Sequence, residues 1–243
     1  MSLSLIDGKV EYSFFDKFFQ ESSTTSRQVY VKKDAEDCKK SCDLITRAMG
    51  GRGIAVMRQI HSAEVIYIDA PTKYGSEPEV DAIVTDKPGL VLGVQTADCV
   101  PILFASGRGD IIGAAHAGWR GAKSGIIENT IKAMQNMGAT DIYAVMGPSI
   151  QQASYEVDEG FYESFIGDNL SNQQFFIESH NPHKKLFDIP SYAQHKLAKC
   201  GIQHIIRNMD DTYSMDSKYH SYRRSCHTGE PYNGSLLSAI MIK

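Results

Sequence analysis

Residues 110–134 read DIIGAAHAGWRGAKSGIIENTIKAM. Ile111, Ile112, Gly113, Ala114 and Ala115 form a short apolar run, the pattern of a buried strand. His116 ends that run. Gly118 and Gly121 then bracket Arg120 and Trp119, the one tryptophan of the chain. Beyond Arg120, Ile127, Ile131 and Met134 recur at helical spacing and Gly138 supplies a stop, so a helix is expected over residues 122–137. A strand that passes through a glycine turn into a helix brings its last side chain, His116, and the first of the helix, Arg120, to one edge of a sheet. The free N–H groups of a helix start, joined by a guanidinium, suit an anion such as phosphate.

Working outward, DAIVTDKPGLVLGVQTADCVPILFA (81–105) carries two strong strands, one preceded by a Pro88-Gly89 turn and the next interrupted at Thr96-Ala97-Asp98. IAVMRQIHSAEVIYID (54–69) reads as two strands broken near His61 and Ser62, and Asp81 reads as a turn cap before a buried strand. Residues 34–49 have helical periodicity, with Cys38 and Cys42 one turn apart as small core-facing side chains. KVEYSFF (9–15) and RQVYVKK (27–33) read as strands around a polar loop, ESSTTSRQ (21–28). Downstream come a strand at 141–147, a helix in ASYEVDEGFYESF, a polar excursion over 168–187, a helix over 188–201, and strands at 202–208 and 236–242. Residues 210–235 are too long for a bare connection, so they are expected to pack on the site or cover it. Strands and helices mix without strict alternation. The pattern is that of a single α+β domain over residues 1–243, with mixed sheets flanked by helices.

Composition narrows the function classes. The chain has 243 residues, a net charge of −4 and 42% hydrophobic residues. That balance supports neither a nucleic-acid nor an anionic-membrane partner. No apolar run approaches the roughly 18–20 residues of a membrane span, and the first residues lack a secretory pattern. The five cysteines are odd in number and scattered, which points to reduced thiols in a cytoplasm.

Three metal-competent residues share one kind of address. His61 lies at the break in QIHSAEV, Cys99 at the break in TADCVP and His116 at the end of AAHA. Their separations are too long for a finger or knuckle, so any site is assembled by the tertiary fold. Two His and one Cys leave one coordination position open, the pattern of catalytic zinc; copper is the alternative for a His₂Cys set. The same residues also admit a metal-free site, with Cys99 as nucleophile, His116 as base, and Asp98 or another acid orienting the histidine. Arg223-Arg224 in YHSYRRS offers a second anion-facing group beside Arg120.

QIHSAEV, DAIVT…GLVLGVQTADCVPILF, AAHAGWRGAKSGIIENTI, AVMGPSI…YEV and YHSYRR…TG together resemble the bacterial laccase-domain, or polyphenol oxidase, family of YfiH-like purine nucleoside phosphorylases. The resemblance runs from about residue 54 to the C-terminus. It implies a mixed sandwich of two sheets with outer helices, and a zinc site on His61, Cys99 and His116. It implies phosphorolysis of adenosine, inosine, guanosine and methylthioadenosine, deamination of adenosine, and hence purine nucleosides and phosphate as partners. Arg120, with Arg223, is the expected phosphate holder. An older label for the family, copper-dependent phenol oxidation, is the alternative. Departures from the family pattern are Ser62 in place of a glycine after the first ligand, a divergent segment over residues 11–45, and Asp211-Thr212 where a Cys-Thr pair is expected.

Overall fold

The computed structural model describes residues 3–17, 35–232 and 234–243. The loop expected over 21–28 and the strand expected over 27–33 lie outside these residues. In chain order the elements are strands β1 (Leu3–Leu5) and β2 (Val10–Phe14), helix α1 (Ala35–Ala48), and strands β3 (Gly53–Ala55), β4 (Val65–Tyr67), β5 (Ala82–Thr85), β6 (Leu90–Thr96), β7 (Val100–Ala105) and β8 (Ile112–Ala117). Helices α2 (Trp119–Ser124) and α3 (Ile126–Asn136) follow, then β9 (Tyr143–Met146), β10 (Glu156–Asp158), α4 (Glu159–Asp168), β11 (Phe176–Glu178) and β12 (Lys184–Phe187). The chain closes with α5 (Ile189–Lys199), β13 (His204–Arg207), α6 (Tyr222–Thr228) and β14 (Leu236–Ile242).

Two sheets form the body. One has the strand order β1-β2-β14-β6-β3 and the other β13-β9-β7-β8-β5-β4, while β10, β12 and β11 make a small antiparallel sheet. Period-two alternation assigns each strand's side chains to two layers. Leu90, Leu92 and Val94 of β6 pack with Ile240 of β14 against Leu103, Ile112 and Val145, filling the space between the two large sheets. The opposite faces, Val91, Ala239 and Met241, pack on Cys42 and Ile45 of α1 and on Met49 just beyond it. On the far side, Ile102, Phe104 and Ala115 meet Ile127 and Ile131 of α3 and Leu197 of α5. The result is the expected α+β sandwich of mixed sheets with flanking helices.

Three expectations are corrected. Residues 81–105 hold three strands, not two, because β5 and β7 belong to the six-stranded sheet while β6 lies between them in sequence but in the five-stranded sheet. The expected helix over 122–137 begins earlier, at Trp119, and is split in two by Gly125. Gly125 has φ +103°, a left-handed conformation that closes α2 and that glycine adopts without penalty. Residues 168–187, expected as an excursion, supply β11 and β12, and β12 pairs with β11 on one side and β10 on the other.

One consequence of this topology positions the site. The chain crosses from the five-stranded to the six-stranded sheet twice, between β3 and β4 and between β6 and β7. His61 lies in the first crossing and Asp98-Cys99 in the second. His61 has φ +60° and Asp98 φ +91°, the sparsely populated left-handed region in which His and Asp are among the tolerated residues. His116 stands near the end of β8, in register opposite Pro101 of β7, and its backbone N–H donates to the Asp81 carbonyl at 2.8 Å.

Candidate metal centre

Asp81 organises the first half of the site. It is fully buried just before β5. Its carboxylate accepts the backbone N–H groups of Ile60, His61 and Ser62 at 3.2, 3.0 and 2.6 Å, and the Ser62 hydroxyl at 2.8 Å. The departure from the family pattern at Ser62 therefore adds a donor to this carboxylate. Asp81 also bonds His116 Nδ1 at 2.8 Å. One side chain thus shapes the loop that carries His61 and sets the ring of His116. Burial pushes the Asp81 carboxyl up, but the bonds from His116 and Ser62 outweigh it and hold the group at about 2.

With Nδ1 of His116 taken by Asp81, its Nε2 is left to face His61 and Cys99. The His61 and His116 rings meet edge to face with centroids 4.8 Å apart, and Cys99 Sγ lies 4.0 Å from His61 Nε2. One ligand atom from each of His61, Cys99 and His116 falls within 4.8 Å of the others, and this is the one such group of metal-competent side chains among the described residues. In the metal-free cluster, burial raises the Cys99 thiol but the neighbouring imidazoles pull it below the usual range. Burial opposes a charge on His116, but Cys99 and Asp81 together raise it above the ordinary histidine range. Gly118 permits the close approach: a Cβ there would stand 2.8 Å from His61 Cδ2 and 3.1 Å from Cys99 Sγ.

The cluster fits a tetrahedral metal. Bonds of about 2.0–2.3 Å place neighbouring ligand atoms roughly 3.3–3.6 Å apart, so small side-chain rotations close the observed gaps. The carboxylate on the far nitrogen of His116 is the usual partner of a metal-bound histidine, because it fixes the tautomer and raises ligand basicity.

Asp98 organises the second half. It is 8% exposed and does not touch His116 in the manner of an orienting acid; Asp81 has that place. The Asp98 carboxylate instead accepts Thr212 Oγ1 at 2.7 Å, Ser221 Oγ at 2.9 Å and the Arg223 backbone N–H at 2.7 Å. These bonds pin the long segment after β13 over the site, as its length had led us to expect. The departure at Asp211-Thr212 belongs to the same network, since Asp211 accepts Ser154 Oγ at 2.6 Å while Thr212 donates to Asp98. Burial raises the Asp98 carboxyl despite its three donors.

Between the two halves lies a cavity of about 890 Å³. It contains the His61-Cys99-His116 cluster and both arginines expected from sequence, Arg120 and Arg223. Arg120 lies with its guanidinium 4.5 Å from the Trp119 ring centre, and Trp119 is itself packed on Phe161 at 4.8 Å. Arg223 lies over Tyr155 at 5.0 Å and donates to the Glu156 carbonyl at 2.7 Å. Arg224 turns away, donating to the carbonyls of Thr212, Tyr213 and Tyr219. Sequence reading did not anticipate Tyr222, Tyr232 and His227 in the cavity wall. It placed Asp81 only as a turn cap, which it is, without its bond to His116.

Residues 20–243 match the family described as multi-copper polyphenol oxidoreductase laccase. The chain is 42% identical over 246 residues to the purine nucleoside phosphorylase of Rickettsia conorii, covering 98% of this chain and 99% of that protein. This chain belongs to the YfiH-like laccase-domain family. The Escherichia coli family member, purine nucleoside phosphorylase YfiH, is 34% identical over 71% of this chain and 69% of its own length. Among solved structures, Neisseria meningitidis protein NMB0706 superposes with a TM-score of 0.84 at 24% identity, over 100% of this chain and 98% of that one. Bacillus licheniformis YfiH gives 0.84 at 22% identity, over 96% and 93% of the two chains. Both share the sandwich. No helix among the described residues is long and apolar enough to cross a membrane.

Proposed function

We propose that this family member is a zinc-dependent purine nucleoside enzyme that phosphorolyses adenosine, inosine, guanosine and methylthioadenosine and deaminates adenosine. The observation that carries the reading is the shared cavity: a His₂Cys cluster, two arginines and an aromatic wall face one space. Its volume of about 890 Å³ lies in the range of small-molecule sites. His61, Cys99 and His116 would hold the zinc, which when bound supplies Lewis acidity and a water with its pKa lowered toward about 7. Arg120 and Arg223 take the phosphate, Arg120 by paired charge-assisted bonds from a guanidinium already fixed on Trp119. Tyr222 and Tyr232 offer ring surface on which a purine stacks. The phosphate is thereby presented to the ribose while the base is held apart from it. Asp98 serves as the pin that sets Arg223. The names of the relatives support the nucleoside assignment, and five cysteines without a disulfide support a cytoplasmic setting.

Chromatography of inosine or adenosine incubated with the enzyme tests the reading. Free base and ribose 1-phosphate should form only when phosphate is present, and inosine should form from adenosine without it. If neither nucleoside is altered at high enzyme concentration, the reading fails.

Two observations favour other chemistry. The Cys99-His116-Asp81 line has the order of nucleophile, base and orienting acid, which is the arrangement of a metal-free cysteine hydrolase. Near-stoichiometric zinc that is lost in Cys99→Ala decides against it. The family description names copper and phenols; oxygen uptake with a phenol and added copper tests that activity, although a single His₂Cys group among the described residues does not supply a multi-copper set.

A further inference from the structure

Phosphorolysis needs a proton as well as a phosphate. When the bond between C1′ and N9 breaks, its electron pair moves onto the purine, and a base that leaves without a proton is a poor leaving group. Few side chains in the cavity wall are free to supply one. His61, Cys99 and His116 are committed to the metal cluster. Asp98 is saturated by Thr212, Ser221 and Arg223. The arginines stay charged throughout. Desolvation raises the phenols of Tyr155 and Tyr232, and a hydrogen bond to Cys226 occupies and raises that of Tyr222. Cys226 is taken up by that same bond to Tyr222, and what is left is His227.

His227 sits in the last turn of α6 and lines the same cavity as the cluster and Arg120. Its Nδ1 is bonded to the Tyr213 hydroxyl at 2.9 Å, and the two rings meet edge to face at 5.5 Å. Tyr213 is packed on the core between the sheet and the helices. The imidazole is therefore held at one nitrogen by a fixed partner, which leaves Nε2 for a ligand. The helix that carries it is capped by Ser221, one of the residues pinned by Asp98. The titratable and charged groups around His227 are the Tyr213 hydroxyl and the Glu156 carboxylate of β10, which is paired with Lys184 of β12 at 2.7 Å; Arg223, Arg224 and Cys226 share its helix.

We propose that His227 is the general acid that protonates the departing purine, an assignment that rests on the phosphorylase reading above. As a phosphate oxygen forms its bond to C1′ and the C1′–N9 bond breaks, Nε2–H of the imidazolium gives its proton to N7 of the base. Nδ1–H remains bonded to the Tyr213 oxygen. Hydrogen phosphate loses its own proton on becoming the sugar ester, and that proton returns to Nε2. The sum is nucleoside plus hydrogen phosphate to ribose 1-phosphate plus neutral purine, with the imidazole restored.

The test is steady-state phosphorolysis of inosine across pH by the zinc-loaded protein, wild type beside His227→Ala and His227→Gln. His227 is exposed at the end of a short helix, so both variants should keep wild-type zinc content and melting temperature. Removal of a general acid should lower kcat about 100-fold or more, with little change in the phosphate KM, and should abolish the alkaline limb of the pH profile. Added imidazole should restore part of the kcat of His227→Ala and none of that of His227→Gln, whose side chain fills the space. A wild-type enzyme that cleaves inosine while both variants keep its kcat and its alkaline limb would overturn the assignment and leave the phosphorylase reading standing. A zinc-loaded wild type that does not cleave inosine overturns both.

Discussion

Asp81 and Asp98 are both buried aspartates beside a crossing between the two large sheets, yet they do opposite work. Asp81 binds the half with the candidate metal cluster: three backbone N–H groups around His61, the Ser62 hydroxyl and His116 Nδ1 all converge on it. Asp98 binds the half that carries Arg223, through Thr212, Ser221 and the Arg223 backbone N–H. Their acidities diverge as their partners do. Both carboxyls are pushed up by burial, but Asp81 has an imidazole partner that carries charge and ends at about 2, whereas the direct donors to Asp98 are neutral and it ends above its ordinary value. Burial alone therefore does not set the role of an acid in this site; the charge of what it bonds does.

Asp81→Ala breaks the comparison hardest. It strands a buried histidine and four further donors, and should cost roughly 3–5 kcal/mol of stability. Zinc affinity should fall by at least about 10–100-fold, as for loss of an outer partner of a metal ligand. Denaturant unfolding and metal titration check both. Full zinc retention would remove Asp81 from the metal half.

Between pH 6.5 and 4, acid sensitivity should instead belong to the Asp98 half. His220, next to Ser221, is pushed down to about 4, first by burial and then by Lys17 and Arg224. A histidine depressed in the folded state favours folding fully above its ordinary value of about 6.5, and stability falls as pH drops from there toward 4, by roughly 3 kcal/mol. Melting temperature against pH measures this loss, and His220→Gln should flatten it.

Asp98→Ala leaves two hydroxyls and the Arg223 N–H without their acceptor, for roughly 2 kcal/mol. Zinc should stay at wild-type stoichiometry while the phosphate KM rises, the reverse of the outcome at Asp81. The smallest change is Arg120→Lys. It keeps the charge but loses the planar fork and the stack on Trp119, and should raise the phosphate KM by about 5-fold, near 1 kcal/mol.

How much of this was legible in sequence differs between the halves. His61, Cys99 and His116 were visible because each interrupts an apolar strand pattern, a local signal. Arg120 was visible from its place between two glycines at a helix start. The role of Asp81 was not, because its bonds to residues 60–62 and to His116 cross strands that only the sheet order brings together. Likewise β6 could not be told from its neighbours: periodicity reports which residues are buried, and not which of two sheets buries them. Tyr222, His227 and Tyr232 lay in a segment without periodicity, whose cavity-facing side chains are fixed by the Asp98 bonds rather than by any repeat. The strand expected over 27–33 falls outside the described residues.

The central claim is that the two halves close one zinc site used on purine nucleosides. Metal content and inosine phosphorolysis measured on the same preparations of wild type and Cys99→Ala test it most directly. One zinc per chain and phosphate-dependent release of hypoxanthine in the wild type, both lost in Cys99→Ala, is the expected result. A wild-type protein that releases hypoxanthine without zinc, or a Cys99→Ala protein that keeps both, would contradict it.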